Sequence, residues 1–366
     1  MTEARATADG TRRFVGRSGA APGHFHDGMG LSLSSIGLGT YLGEDDATTD
    51  AGYEASIAAA LAAGINVFDT AINYRGQKSE RAIGRALAKA FTDGRARRDE
   101  VFVSTKGGYF PHDGDDPRPP RRYVQESFLE SGLAPKDEIA QQCHCIAPSY
   151  LRDQIARSLE NLGLSTVDLY YLHNLETQLG AVDRVTFRER LKRAIAALEE
   201  EAGAGRIAAW GLATWDGLRV PPEHPEHLSM AEVLGMAKEV AGDGHHFRAV
   251  QLPSSLAMAQ GMVYRSQETG EGRRAALVAA TTLGLAAFGS ASIAHGQLAT
   301  GDLPEEIAGA FPGLQTSAQQ ALQFARSVPG VTSALVGVSS PEHAVEDFAL
   351  AKIAPVAPER ILGLFA

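Results

Sequence analysis

The sequence predicts a (β/α)8 TIM barrel with an enlarged loop after the third strand, on three observations. Short apolar runs alternate with Ala-rich or amphipathic stretches along the whole chain. Several of these runs stop abruptly on an ionisable residue, as buried parallel strands do when they carry chemistry to their C-terminal ends. No break in composition divides the chain, so the alternation reads as one closed parallel sheet with right-handed crossovers over residues 31–366, after a flexible or capping segment over residues 1–30. An open doubly wound sheet would place Gly-x-Gly-x-x-Gly after the first strand. Gly37-Leu38-Gly39 has no third glycine where that pattern needs it.

The elements follow in order. Leu31 to Tyr41 is read as the first strand, running into the turn Gly37-Leu38-Gly39-Thr40-Tyr41, and Asp50 to Ala63 as a helix ended by Gly64. Ile65 to Asp69 is the second strand, and Ser79 is placed to cap a helix reaching about Phe91. Val101 to Lys106, Val167 to His173, Ile207 to Ala213, Ala249 to Leu252, Leu285 to Gly289 and Ser333 to Val338 are strands three to eight. Helices are expected between them over Ser149–Leu162, Phe187–Ala202, Ser229–Val240, Gly272–Leu283 and Thr316–Ser327, with Pro341–Leu350 last. Residues 107–148, with the run Asp113-Gly114-Asp115-Asp116-Pro117, are too long for a simple connection and read as a lid-like insertion.

Composition narrows the function. A chain of 366 residues with 44% hydrophobic content can bury a full-sized core. A net charge of -10 repels phosphate backbones, so no nucleic-acid partner is expected, and no stretch approaches the apolar length of a membrane helix. The 2 cysteines, Cys143 and Cys145, are too close for an ordinary disulfide, which suits a reducing cytoplasm. With His112 and His144 they form only a weak zinc pattern, and no metal is expected. No heptad or apolar stripe sets an oligomeric state.

Asp69 ends the second strand, Tyr74 follows it, Lys106 ends the third strand and His173 the fourth. In a barrel these ends are neighbours around one mouth. An ammonium beside a phenol favours the phenolate, a carboxylate holds the ammonium charged, and a neutral imidazole offers a hydrogen bond to a substrate oxygen. The set describes a tyrosine acting as general acid on a carbonyl, with Asp69, Tyr74, Lys106 and His173 as the catalytic group.

With Gly37-Leu38-Gly39-Thr40, Phe68-Asp69-Thr70-Ala71, Ser104-Thr105-Lys106, Val167 to His173, Gln251, and Gly337 with Ser339 ahead of Glu346-Asp347, the chain resembles the aldo/keto reductase family. The resemblance implies an NADP cofactor, with NAD as the alternate, lying over the barrel mouth and exchanging hydride with a small-molecule carbonyl. It implies cofactor contacts from Gly39, Thr40, Tyr41, Asp69, Thr214, Gln251, Ser290, Ala291, Ser292, Gly296, Leu298, Gly337, Ser339, His343 and Asp347. Substrate contacts are expected from Tyr41, Tyr109 and Trp215. The chain departs from the family at the cofactor seat. Ala213-Thr214 replace Ser-Asn, Ser254 stands where a tyrosine usually lies under the nicotinamide ring, and His343 stands where many relatives carry an arginine. A redox-neutral lyase, epimerase or dehydratase using the same acid/base group, and a nicotinamide-sensing protein without activity, are the competing functions. An intact set of four argues against the sensor.

Overall fold

The computed structural model describes residues 4–365. Two antiparallel strands, β1 (Phe25–Gly28) and β2 (Leu31–Ser34), precede the barrel. The barrel takes β3 (Ile36–Gly39), β4 (Val67–Asp69), β5 (Phe102–Gly107), β6 (Leu169–His173), β7 (Trp210–Ala213) and β8 (Phe247–Pro253). A second short hairpin, β9 (Gln267–Thr269) and β10 (Gly272–Arg274), stands outside it. The last barrel strands, β11 (Ala286–Ser290) and β12 (Ser333–Gly337), close the ring by parallel pairing of β11 to β8 and β12 to β3.

The barrel is closed, parallel and eight-stranded, as the alternation predicts. Its interior holds Val67, Phe102, Leu169, Tyr171, Ala249, Phe288 and Leu335, with the Phe102 and Phe288 rings stacked at 5.6 Å. The larger core fills the space between strands and the surrounding helices. Burial of both strand faces explains why the strands read as apolar runs rather than alternating ones.

Leu31 to Tyr41 is not one strand. Met29 and Gly30 take positive φ (58° and 74°) in a two-residue turn, so Leu31–Ser34 pairs back on Phe25–Gly28, and only Ile36–Gly39 enters the barrel. Leu33, fully buried among the interior side chains, seals the floor. Residues 4–30 are ordered against that end. A helix over Ala8–Ser18 is capped by Thr7, Ala6 N–H donates to Asp168 Oδ1 at 2.7 Å, and Arg13 pairs with Asp99 at 2.7 Å. A side chain at Gly10 would overlap the Asp99 carbonyl, so this helix lies on the loop ahead of β5 at a distance only glycine permits.

Two other local expectations change. Ser79 lies inside the helix Lys78–Thr92 and its hydroxyl donates to the Thr40 carbonyl at 2.7 Å, so it ties the helix to the end of β3 rather than capping it. Residues 272–274 form a strand, because the turn at Gly270 and Gly272 returns the chain on Gln267–Thr269; the helix begins at Ala276. Much of residues 107–148 packs beside the barrel in a small core of its own, with Tyr123, Phe128, Ala134, Cys145 and Tyr150. Among the described residues no helix is long and apolar enough to cross a membrane.

Candidate active site

Strand register builds the site. Asp69 lies opposite Ser104, Lys106 opposite Tyr171 and His173 opposite Ala213, while Ala213 lies opposite Gln251. Side chains two apart on a strand share a face, so Ser104 and Lys106 both reach inward to Asp69. Lys106 Nζ donates to Asp69 Oδ2 at 2.6 Å and to the Thr70 carbonyl at 2.7 Å. Asp69 Oδ1 accepts from Ser104 Oγ at 2.7 Å and from Gln251 Nε2 at 2.9 Å. The carboxylate is therefore held by three donors and the ammonium has one direction left. In that direction lies Tyr74, whose ring centroid is 4.9 Å from Nζ. The His173 ring stands 5.8 Å from the Tyr74 ring. The four residues meet at one rim.

Tyr74 opens toward the cavity but is otherwise enclosed by protein. Burial lifts its phenol above the ordinary value against the downward pull of Lys106. This reverses the expected direction: the sequence suggests a lowered phenol, and the low surrounding polarity outweighs the lysine. Burial also works against the charge of Lys106, yet Asp69 and Tyr74 hold its ammonium above the ordinary value. Burial, reinforced by Lys106 and His144, holds His173 well below its ordinary value and hence neutral.

These groups line the end of a cavity of ≈ 480 Å³ at the C-terminal mouth of the barrel. Of the expected contacts, Gly39, Thr40, Tyr41, Thr214, Gln251, Ser290, Ala291, Ser292 and Gly337 line it, as do Tyr109 and Trp215. Lys106 lies beneath the wall, with 1% of its surface exposed. Gly296, Leu298, Ser339, His343 and Asp347 lie off the wall. His343 is exposed, Leu298 packs against the outer core, and Asp347 is buried without lining the cavity. From the insertion, Tyr109 alone reaches the wall.

Ser254 is buried off the wall, so its side chain offers no ring to the cavity. Two exposed aromatics stand on the wall, Trp215, which stacks on His295 at 5.5 Å, and Tyr41, which meets His295 edge-on at 5.5 Å. Trp215 N–H and Asp216 N–H donate to Glu176 Oε1 at 2.6 Å and 3.0 Å, so a buried carboxyl fixes this loop. Asn73, Asn174 and Ile293 line the cavity without having been expected. Asn174, directly after His173 and with φ 48°, was recoverable as an amide at a strand end; Glu176 carried no signal beyond proximity.

The remaining loop residues make no metal centre. Both ring nitrogens of His144 are engaged, with the His173 carbonyl and with Gln178, and Cys143 and Cys145 are free thiols. Among the described residues no three or more His, Cys, Asp or Glu side chains gather as a metal-holding group.

Asp347 gives the first expected result. Burial, with Glu346 adding to it, pushes its carboxyl up to about 7. An acid raised on folding favours the protonated native state, so stability falls as pH rises from the ordinary carboxylate range through about 7. Asp347→Asn is expected to leave Tm unchanged near pH 4 and raise it above pH 7. A Tm gain equal at both pH values would remove ionisation as the cause.

Comparison with known proteins bears on this geometry. The model of the aldo/keto reductase family matches residues 35–221, a stretch that holds Asp69, Tyr74, Lys106 and His173 and ends before Gln251. The chain is 30% identical over 195 residues to a D-threo-aldose 1-dehydrogenase of Pseudomonas sp, covering 53% of this chain and 51% of the relative. It is 29% identical over 191 residues to an NADH-specific methylglyoxal reductase of Escherichia coli, covering 51% and 50%. The chain thus spans about half the length of these curated relatives. An aldo-keto reductase of Klebsiella pneumoniae, solved in complex with NADPH, superposes with a TM-score of 0.61 over 94% of both chains at 21% identity, a likeness of fold.

Proposed function

Since the chain belongs to the aldo/keto reductase family, we propose that it is an NAD(P)H-dependent oxidoreductase interconverting a carbonyl and an alcohol, with Tyr74 as general acid. The observation that carries this reading is the meeting of the Tyr74 phenol, the charged Lys106 and the neutral His173 at one end of the cavity.

A carbonyl oxygen resting between Tyr74 and His173 would meet two donors. His173, neutral, can donate one hydrogen bond and orient the oxygen. Tyr74, neutral at ordinary pH, holds the proton that the oxygen takes as it becomes an alkoxide. Lys106 stabilises the phenolate left behind, and Asp69 keeps the ammonium in place. The wall fits a nicotinamide dinucleotide. Thr214 Oγ1 is buried there with no partner and suits a carboxamide, and the backbone at Ser290 to Ser292 and at Gly337 suits a pyrophosphate. When bound, the cofactor supplies the hydride. NADP is the cofactor proposed, with NAD as the alternate, in keeping with one likeness solved with NADPH and one relative described as NADH-specific.

The test is the loss of reduced-nicotinamide absorbance when the chain is offered aldoses, methylglyoxal and simple ketones. Substrate consumed with no absorbance change would favour the redox-neutral alternative, and cofactor binding with no turnover on any carbonyl would sink the reductase reading.

Trp215 supplies a second expected result. Its ring stands exposed on the wall, as does that of Tyr41, and aromatic stacking is worth about 0.5–1.5 kcal/mol. Trp215→Ala should weaken cofactor or substrate binding by up to about tenfold, measured by titration of cofactor fluorescence and by KM. Unchanged values for both would place the ligand elsewhere on the wall.

A further inference from the structure

The enlarged loop returns one histidine behind another. His144 is fully buried, and its Nε2 lies 2.6 Å from the backbone carbonyl oxygen of His173. A carbonyl only accepts, so Nε2 carries the proton and Nδ1 is left to accept from Gln178 Nε2 at 3.0 Å. Gln178 is also fully buried, and its Oε1 accepts from Arg190 Nη1 at 2.8 Å. Tyr109 stands between the two histidines, 5.0 Å from the His144 ring and 5.2 Å from the His173 ring. Gly108, at φ 146°, clears the space: a side chain there would come within 2.6 Å of His144 Nε2.

The peptide between His173 and Asn174 is consequently pinned at both polar atoms. Its carbonyl accepts from His144, and its N–H donates to the Ala213 carbonyl at 2.6 Å. Asn174 takes φ 48°, left-handed backbone that asparagine adopts more readily than other L residues. Both flanking side chains, His173 and Asn174, line the cavity.

We propose that His144 is a positioning residue: through the His173–Asn174 peptide it holds the His173 ring against Tyr74, and Gln178 with Arg190 keep its own ring in the donating tautomer. This rests on the reductase reading above and gives the end of the long insertion a task in the chemistry. A histidine that merely filled space would share the burial but would leave the reacting geometry indifferent to its loss.

His144→Ala separates these cases. The expected result is a fall in kcat of about 10²-fold, the size of effect that a displacement near 1 Å produces, with the cofactor dissociation constant unchanged. Added imidazole, able to enter the vacated space, should recover part of the rate. The same variant admits water beside His173, whose ring is faced by Lys106, Tyr74, Tyr109 and His144, with Asp69 behind the lysine. Its titration, followed by nitrogen NMR of labelled histidine, should move up toward the ordinary imidazole value. An unchanged kcat together with an unmoved His173 titration overturns the proposal. Should His144→Ala fail to fold, Gln178→Ala carries the test, because it frees the His144 ring without emptying the contact with Tyr109. An unchanged kcat there likewise overturns it. The titration needs no substrate, so absence of turnover in the unsubstituted chain would count against the reductase reading alone.

Discussion

Tyr74→Phe is expected to lower kcat by about 10²–10⁴-fold, the usual contribution of a positioned general acid, while cofactor affinity stays unchanged. The substitution removes one oxygen and leaves the ring packed 5.0 Å from Tyr41 and 4.9 Å from Lys106 Nζ, so the wall keeps its shape. The loss should therefore fall on kcat and leave KM nearly alone, the mark of an interaction made mainly in the transition state. Steady-state rates beside a fluorescence titration of reduced cofactor make the comparison. A variant with unimpaired kcat would show that another group delivers the proton.

Lys106→Met should cost both activity and stability. A buried carboxylate that loses its cationic partner typically costs about 3–5 kcal/mol. Asp69 retains donors in Ser104 and Gln251, so the loss is expected at the lower end of that range. Activity should fall no further than in Tyr74→Phe, because the phenol stays as proton donor and only the charge that stabilises its phenolate is gone. Denaturant unfolding and steady-state rates read the two effects separately. A variant as stable as the parent would show that the ion pair is balanced by its own desolvation, as some buried pairs are.

The barrel and its four rim residues were legible because the chemistry sits where an apolar run stops. Asp69 and His173 end their strands and Lys106 stands next to last in its own, and all three strands are buried on both faces. Leu31–Ser34 reads as part of the strand after it because it shares that strand's apolar character; what sets it apart is its pairing with Phe25–Gly28 through the Met29-Gly30 turn. The direction of the Tyr74 shift escaped because sequence names the lysine beside the phenol but not the enclosure around it. Glu176 and His144 were hidden for a related reason. Each acts on a backbone group brought close only by folding, and no spacing in the chain marks that meeting.

On the proposed mechanism, the floor of the barrel sets the route by which a spent phenolate would recover. Below Asp69 and Lys106 the interior passes through Phe102 and Phe288 to Leu33, all but sealed from solvent. The hydrophobic cluster that fills that column carries one hydroxyl, on Tyr171, so on the proposed mechanism a proton consumed at the rim would be replenished through the same opening that admits the reactants. Recharging the acid and releasing the product then compete for one doorway, and whatever occupies it governs both.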